Sequence, residues 1–166
     1  MSKGILAGMV ILAMLGLMAG TAQAAPEKPA EAWVMCQPDS SVNVRERPNK
    51  HSEVVCEAYA GDRITLDGKK QGRWYHCLIP CEAGEGWIRG DFLSFYEPEY
   101  WPEGRKFETT AGNLNARFSI RGNIRKRLGK GVTLTVYLCS EEWSVTSQGF
   151  IQTKFLMELP EGPEAA

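Results

Sequence analysis

The chain has two histidines, His51 and His76, and no others. That scarcity removes most chemistry that runs through imidazole. A Cys–His nucleophile needs a base and an orienting third group, and both histidines lie in the first half, away from Cys139. A metal site built from His76, Cys77 and Cys81 lacks the paired C-x2-C spacing of structural zinc. The sequence also has no G-x-S-x-G, no H-E-x-x-H and no glycine-rich phosphate loop. No catalytic residue, no metal and no cofactor is therefore expected. Charge of one sign is not in excess, with a net charge of −1. That balance, with no nucleic-acid motif, argues against a nucleic-acid partner.

What is present is a repeat. Val42-Asn43-Val44-Arg45 returns as Leu114-Asn115-Ala116-Arg117. Gly61 and Gly131, then Trp74 and Trp143, keep the same order. Gly86-Trp87-Ile88 returns as Gly149-Phe150-Ile151, and Asp91-Phe92-Leu93 as Lys154-Phe155-Leu156. Only loop lengths change, which is the mark of one supersecondary unit used twice.

The repeated pattern is x-Asn-x-Arg, a turn-rich gap, a strand, Gly, a strand, Trp, a hairpin, Gly-aromatic-Ile, then aromatic-Leu. It resembles the bacterial SH3-like (SH3b) domain over Trp33 to Phe95 and again over Lys106 to Leu159. The second copy departs where Phe118 and Ser119 replace small residues before Pro, and where Phe150 replaces Trp. The resemblance implies an all-β chain of two small SH3-like five-stranded barrels in tandem, preceded by a cleaved signal helix. It also implies a short 3₁₀ turn and closing strand at Asp91-Phe92-Leu93.

The domain plan expected is a signal peptide at 1–24, a Pro-rich leader at 25–32 and a first domain at 33–95. An aromatic and Pro-bearing linker at 96–105, a second domain at 106–159 and a tail at 160–166 follow. Lys3, the uncharged run Gly4 to Ala19 and Ala22-Gln23-Ala24 make the export signal; retained, the same run would be an N-terminal tether. No Cys stands at the cleavage point, which argues against a lipoprotein. Export to the periplasm or beyond, with no stable membrane anchor after cleavage, is the expected destination.

An oxidising destination makes disulfides the default for Cys36, Cys56, Cys77 and Cys81. Two bridges in the first domain, with Cys139 as a free thiol, is the simplest account, and the pairing stays open. Cys77 and Cys81 would stand ~13 Å apart in an extended strand, too far for a bridge, unless the chain turns at Pro80.

Asp67-Gly68 reads as a turn. On the strand from Trp74 to Ile79, Trp74 and His76 are expected to face the core and Tyr75 the solvent. Trp87 and Phe150 are expected in the cores. Tyr100 and Trp101 are expected to pack the linker against one or both domains, or to serve as a ligand platform between them.

The two copies differ in charge. Lys106 to Leu159 holds eight Lys and Arg against four Asp and Glu; Trp33 to Phe95 holds eight against nine. Arg121, Arg125, Lys126, Arg127 and Lys130 form a basic run that either attracts a polyanion or guards a sheet edge against association. In the resembling family, catalysis usually belongs to a fused hydrolase, and none is evident. The expected role is a non-catalytic exported binding module for peptidoglycan or an associated anionic envelope polymer. Its ligand contacts would come from the basic run and from Tyr75, Tyr100 and Trp101. The alternative is an adaptor that binds another exported protein.

Overall fold

Alternation along short strands builds the protein. In Ser41–Arg45, Val42 and Val44 turn inward while Asn43 faces out; in Thr133–Cys139, Leu134, Val136 and Leu138 turn inward. A period of two with β-branched residues on one side is what a half-buried strand requires.

The computed structural model describes residues 30–79 and 82–160. The expected signal peptide, most of the leader, Pro80, Cys81 and the end of the tail lie outside the described residues. Among the described residues fourteen strands and two 3₁₀ turns follow one another. The first half contains β1 (Ala30–Val34), β2 (Ser41–Arg45), β3 (Val54–Tyr59), β4 (Arg63–Gln71), β5 (Trp74–Leu78), β6 (Glu85–Arg89) and β7 (Leu93–Ser94). The second contains β8 (Glu99–Thr109), β9 (Leu114–Arg117), β10 (Ile124–Leu128), β11 (Thr133–Cys139), β12 (Trp143–Thr146), β13 (Gly149–Gln152) and β14 (Leu156–Glu158). The 3₁₀ turns are Gly90–Phe92 and Thr153–Phe155, each placed just before the last strand of its half.

Each half forms one antiparallel seven-stranded sheet. The orders are β3-β2-β6-β5-β4-β1-β7 and β10-β9-β13-β12-β11-β8-β14, the same order with every number raised by seven. The repeat in sequence is therefore a repeat in topology. Seven strands stand where five were expected: the leader or linker adds a first strand, and the closing strand after the 3₁₀ turn joins the sheet as well. Ala30 to Ala32 pair with Leu66 to Ile64. The linker residues Glu99, Tyr100 and Arg105 pair with Cys139, Leu138 and Val136. Pro102 falls where the β8–β11 register shifts, between Tyr100 and Arg105, and such a bulge is where a sheet tolerates proline. The sheets are open, with β3 and β7, and β10 and β14, at their ends.

The Asp67-Gly68 pair does not end a strand. It sits inside β4 as a bulge, with the register shifting between Leu66 and Lys70. Gly68 takes φ 87°, a value that suits glycine, and the Asp67 carboxylate accepts the Lys69 N–H at 3.1 Å.

The motif glycines allow close strand crossing. A Cβ on Gly86 would stand 2.6 Å from Val44 Cγ1, and one on Gly149 would collide with the Arg117 carbonyl. So the Gly of the Gly-aromatic-Ile step lies directly over the strand that carries the Asn-x-Arg motif.

Two apolar clusters fill the protein. The smaller holds Phe107, Leu114, Ala116, Leu128, Leu134, Val136 and Ile151, all from the second half. The larger is the core of the first half, extended by Ile120, Leu138, Val145 and Phe150 of the second. A bulge between Val136 and Leu138 turns Leu138 from one cluster to the other.

The faces of β5 are the reverse of the expectation. Tyr75 and Cys77 pair with Ile88 and Gly86 and face the core. Trp74, His76 and Leu78 face the other way, and Leu78 is exposed. His76 is still buried, because Trp87 covers it edge-on with ring centroids 5.0 Å apart, and Asp67 accepts or shares its Nδ1 proton at 2.9 Å. Trp87 is accordingly half-buried on the outer face rather than in the core. Phe150 is buried, but at the join between the halves rather than in the core of its own half.

No bridge joins Cys36, Cys56 and Cys77 to one another among the described residues; Cys81, the fourth cysteine of the expected two bridges, lies outside them. Cys36 is a buried thiol whose Sγ lies 3.3 Å from the Ser40 carbonyl. Burial, helped by Asp62, pushes its pKa up to about 11. Cys77 Sγ lies 3.4 Å from the Gly86 carbonyl, and Cys56 Sγ 3.6 Å from that of Glu57. Cys139 is a half-buried thiol that accepts the Ser144 hydroxyl at 3.4 Å.

Candidate functional site

The Asn-x-Arg motif positions a loop in each half. Arg45 Nη1 donates to the Ser52 carbonyl at 2.6 Å, and Arg117 Nη1 donates to the Gly122 carbonyl at 2.9 Å. Each arginine thus clasps the loop that follows it, with the stronger hydrogen bond a charged donor makes. In the second half the clasped loop reaches the first. Ile120 is buried in the larger cluster, and its N–H donates to the Asp91 carbonyl at 3.0 Å.

Asp91 is 3% exposed and ion-paired to Arg89, with Arg73 Nη1 at 3.7 Å. A buried carboxylate needs such partners. Around it the halves close further. Phe92 meets Phe150 edge to face, and Gln37 Nε2 donates to the Thr146 carbonyl at 2.9 Å.

A groove opens where the halves meet. One part, of about 300 Å³, is walled by Lys70, Arg73, Tyr75, Asp91 and Phe95 from the first half and by Ile120, Arg121, Glu142 and Trp143 from the second. A second part, of about 560 Å³, continues over Asn113, Asn115, Arg117, Gln152 and Phe155. The two share Ile120, Arg121 and Trp143. Tyr75 is fixed by an edge contact with Phe95 at 5.8 Å, and Lys70 Nζ lies 4.8 Å from its ring centre. Arg121 is exposed and makes no hydrogen bond or ion pair among the described residues. Cations beside flat rings in a concave site suit a ligand with carboxylates on a compact, partly apolar body.

The structure divides the residues expected to bind. Tyr75 and Arg121 meet in the groove. Arg125, Lys126 and Arg127 lie on β10, an end strand, all exposed, and Lys130 lies in the turn beyond it. Tyr100 lies against Gly61 of the first half, with Cδ1 3.4 Å from where a Cβ would stand. Trp101 packs on Phe107, and Arg105 sits 4.7 Å above its ring. These two rings tie the linker to both halves, one each. Lys70, Arg73, Phe95 and Trp143 are groove residues that the sequence did not single out. Of these only Trp143 carried a signal, its recurrence with Trp74.

A second polar cluster surrounds His76. Asp67 accepts from Lys69 Nζ at 2.9 Å as well as facing His76, and Glu85 Oε2 stands 4.0 Å from His76 Nε2. The Lys69 ammonium, then the Lys69 N–H and His76, hold the Asp67 carboxyl down at about 2. The cluster lies on the outer face of β5 and reads as a structural brace. No group of three metal-ligating side chains occurs among the described residues. No helix among them is long and apolar enough to cross a membrane.

Known proteins were compared with this chain. No curated protein matches it. Among solved structures, NlpC1 from Trichomonas vaginalis aligns with 86% of this chain and 50% of its own at 14% identity and a TM-score of 0.34. NlpC2 from Trichomonas vaginalis aligns with 80% of this chain and 49% of its own, at 13% identity and the same TM-score. The chain spans about half the length of either. The family model of the bacterial SH3 domain, SH3_3, matches residues 40–94. The first half thus carries the sequence pattern of a bacterial SH3 domain, on an all-β frame whose strand order the second half repeats.

Proposed function

We propose that the chain is a non-catalytic, exported module of two bacterial-SH3-like halves. It recognises peptidoglycan, or an anionic polymer attached to it, in the groove at the join. The observation that carries this reading is the meeting of Arg121 and Trp143 with Lys70, Arg73 and Tyr75 across one concave surface. Bacterial SH3 domains are commonly wall-binding, and the match over residues 40–94 supports the same ligand class here. Peptidoglycan stem peptides offer carboxylates on short aliphatic side chains, which the cations and rings complement. Neither half supplies this surface alone.

The test is a sacculus pull-down with the chain from Ala25 onward at low and high salt. The Arg73→Ala/Arg121→Ala variant is expected to bind about tenfold more weakly, a loss of ~1.4 kcal/mol. The Arg125→Ala/Lys126→Ala/Arg127→Ala variant is expected to keep most of its binding, because β10 stands off the groove. No binding at any salt overturns the reading. The search then turns to an exported protein partner, for which the open edges of β3 and β10 offer backbone pairing.

A further inference from the structure

The two halves give one loop opposite chemistry. After the motif arginine of the first half comes Glu46, whose N–H donates to the Glu53 carbonyl at 3.0 Å. After the motif arginine of the second comes Phe118, whose N–H donates to the Asn123 carbonyl at 3.1 Å. The backbone arrangement is shared, and an acid is exchanged for an aromatic ring. The strand that leaves the loop changes in the same sense. β3 begins Val54-Val55-Cys56-Glu57, and β10 begins Ile124-Arg125-Lys126-Arg127. Both are end strands; Val55 and Cys56 of β3 pack on the larger core, whereas Ile124, Arg125, Lys126 and Arg127 of β10 are all exposed.

Phe118 is 62% exposed, the most exposed large apolar side chain among the described residues, and Ile124, paired with the preceding Arg117, is 41% exposed. The Arg125 guanidinium lies 5.9 Å from the centre of the Phe118 ring. No Asp or Glu occurs from Thr109 to Ser140. The loop is held from beneath, by the Arg117 clasp on Gly122 and by the buried Ile120 bonded to Asp91. The ring therefore stands in water on a braced loop, although burying it would be favourable. An exposed apolar tip rimmed by cations is the surface that an interfacial protein presents to lipid.

We propose that this tip docks the protein peripherally on an anionic lipid bilayer. The Phe118 ring and the Ile124 side chain enter the boundary between headgroups and acyl chains. Arg125, Lys126 and Arg127 meet headgroup phosphates. A wall polymer would satisfy the cations and leave the ring in water; a bilayer satisfies both. The corresponding tip of the first half, Glu46 to Glu53, carries no Phe, Tyr or Trp, and its Glu46 is paired with Arg47 at 3.5 Å, so it offers the bilayer no apolar anchor. Docking is thus one-ended, with the second half down. One ring and one aliphatic side chain give reversible attachment, strengthened by the cations and weakened by salt.

Co-sedimentation with vesicles tests this, using the chain from Ala25 onward so that the apolar N-terminal run adds no lipid affinity of its own. Binding is expected to vesicles rich in phosphatidylglycerol, with little to phosphatidylcholine alone, and to fall in salt. Phe118→Glu places in the second half what the first half already carries at that backbone position, so the fold tolerates it. It is expected to lower partitioning at least about tenfold. Ile124→Ser is expected to lower it by less. Equal binding to both vesicle types overturns the proposal, as does absence of binding at low salt. Binding that falls with Arg125→Gln/Arg127→Gln and ignores Phe118→Glu overturns it too, and leaves only a polyanion patch. The vesicles contain no peptidoglycan, so each outcome is independent of the groove.

Discussion

Phe92 and Phe150 meet across the join with ring centroids 6.1 Å apart and planes at 66°. The geometry is the favourable edge-to-face one, and Phe150 is 4% exposed. Phe150→Ala is expected to destabilise the chain by about 3 kcal/mol. The two halves should then unfold in separate steps, where the parent chain unfolds in one. Calorimetry checks this; a single transition with an unchanged midpoint would show that the join contributes little.

The arginine clasps predict a local effect. Arg117→Met removes a charged donor from the Gly122 carbonyl, and the expected cost is about 1.5 kcal/mol. Hydrogen exchange should rise at the amides of 118–123, with the matching effect at 46–53 for Arg45→Met. Unchanged exchange in both loops would mean that the motif arginines act elsewhere.

Asp67 predicts how stability depends on pH. Its carboxyl is lowered from 3.8 to about 2 in the folded chain, first by Lys69 and then by His76. A depressed acid adds stability above its unfolded value and loses it as pH falls through the folded value. The stability gap between the parent chain and Asp67→Asn should be constant above about pH 5 and should close progressively between about pH 5 and 1. Melting temperatures across that range decide it, and a gap that stays undiminished down to about pH 1 would contradict the assignment.

Cys36 predicts a protected thiol. With a pKa near 11, it should resist alkylation at pH 8 in the folded chain and react fully once denatured, since the thiolate is the nucleophile. Peptide mapping after native and denatured labelling reads both. A Cys36 that stays unlabelled after denaturation without reductant would place it in a disulfide.

The repeat was legible because it is local. Asn43-Val44-Arg45 and Asn115-Ala116-Arg117 each lie on a strand and clasp the loop that follows, and their spacing carried the succession of strands along the chain. The face of β5 was not legible. Trp74, Tyr75, His76 and Cys77 are all compatible with burial, and periodicity tells sides apart only when one side is polar. Here His76 is buried from outside by Trp87 and Asp67, which no spacing announces. The second copy misleads for a related reason. Trp143 and Val145 are apolar because their face of β12 is covered by the first half, not because it is the inner face of their own sheet. The groove was illegible for the same cause: Arg121 reads as one more cation in a basic run until Ile120, its neighbour, is seen docked beside Asp91. The Asp67-Gly68 bulge shows a subtler limit, since the dihedral that marks a turn also marks a bulge.

Leu138, Val145, Phe150 and Ile120 complete a core that begins in the other half. A gene fragment encoding the second half by itself would leave those four side chains in solvent and would be prone to clump. Two units that arose in the same pattern have in this way lost their interchangeability. Swapping their order, or splicing the second into another protein, would require redesigning that face, whereas the first unit would need only a new cover for its flank.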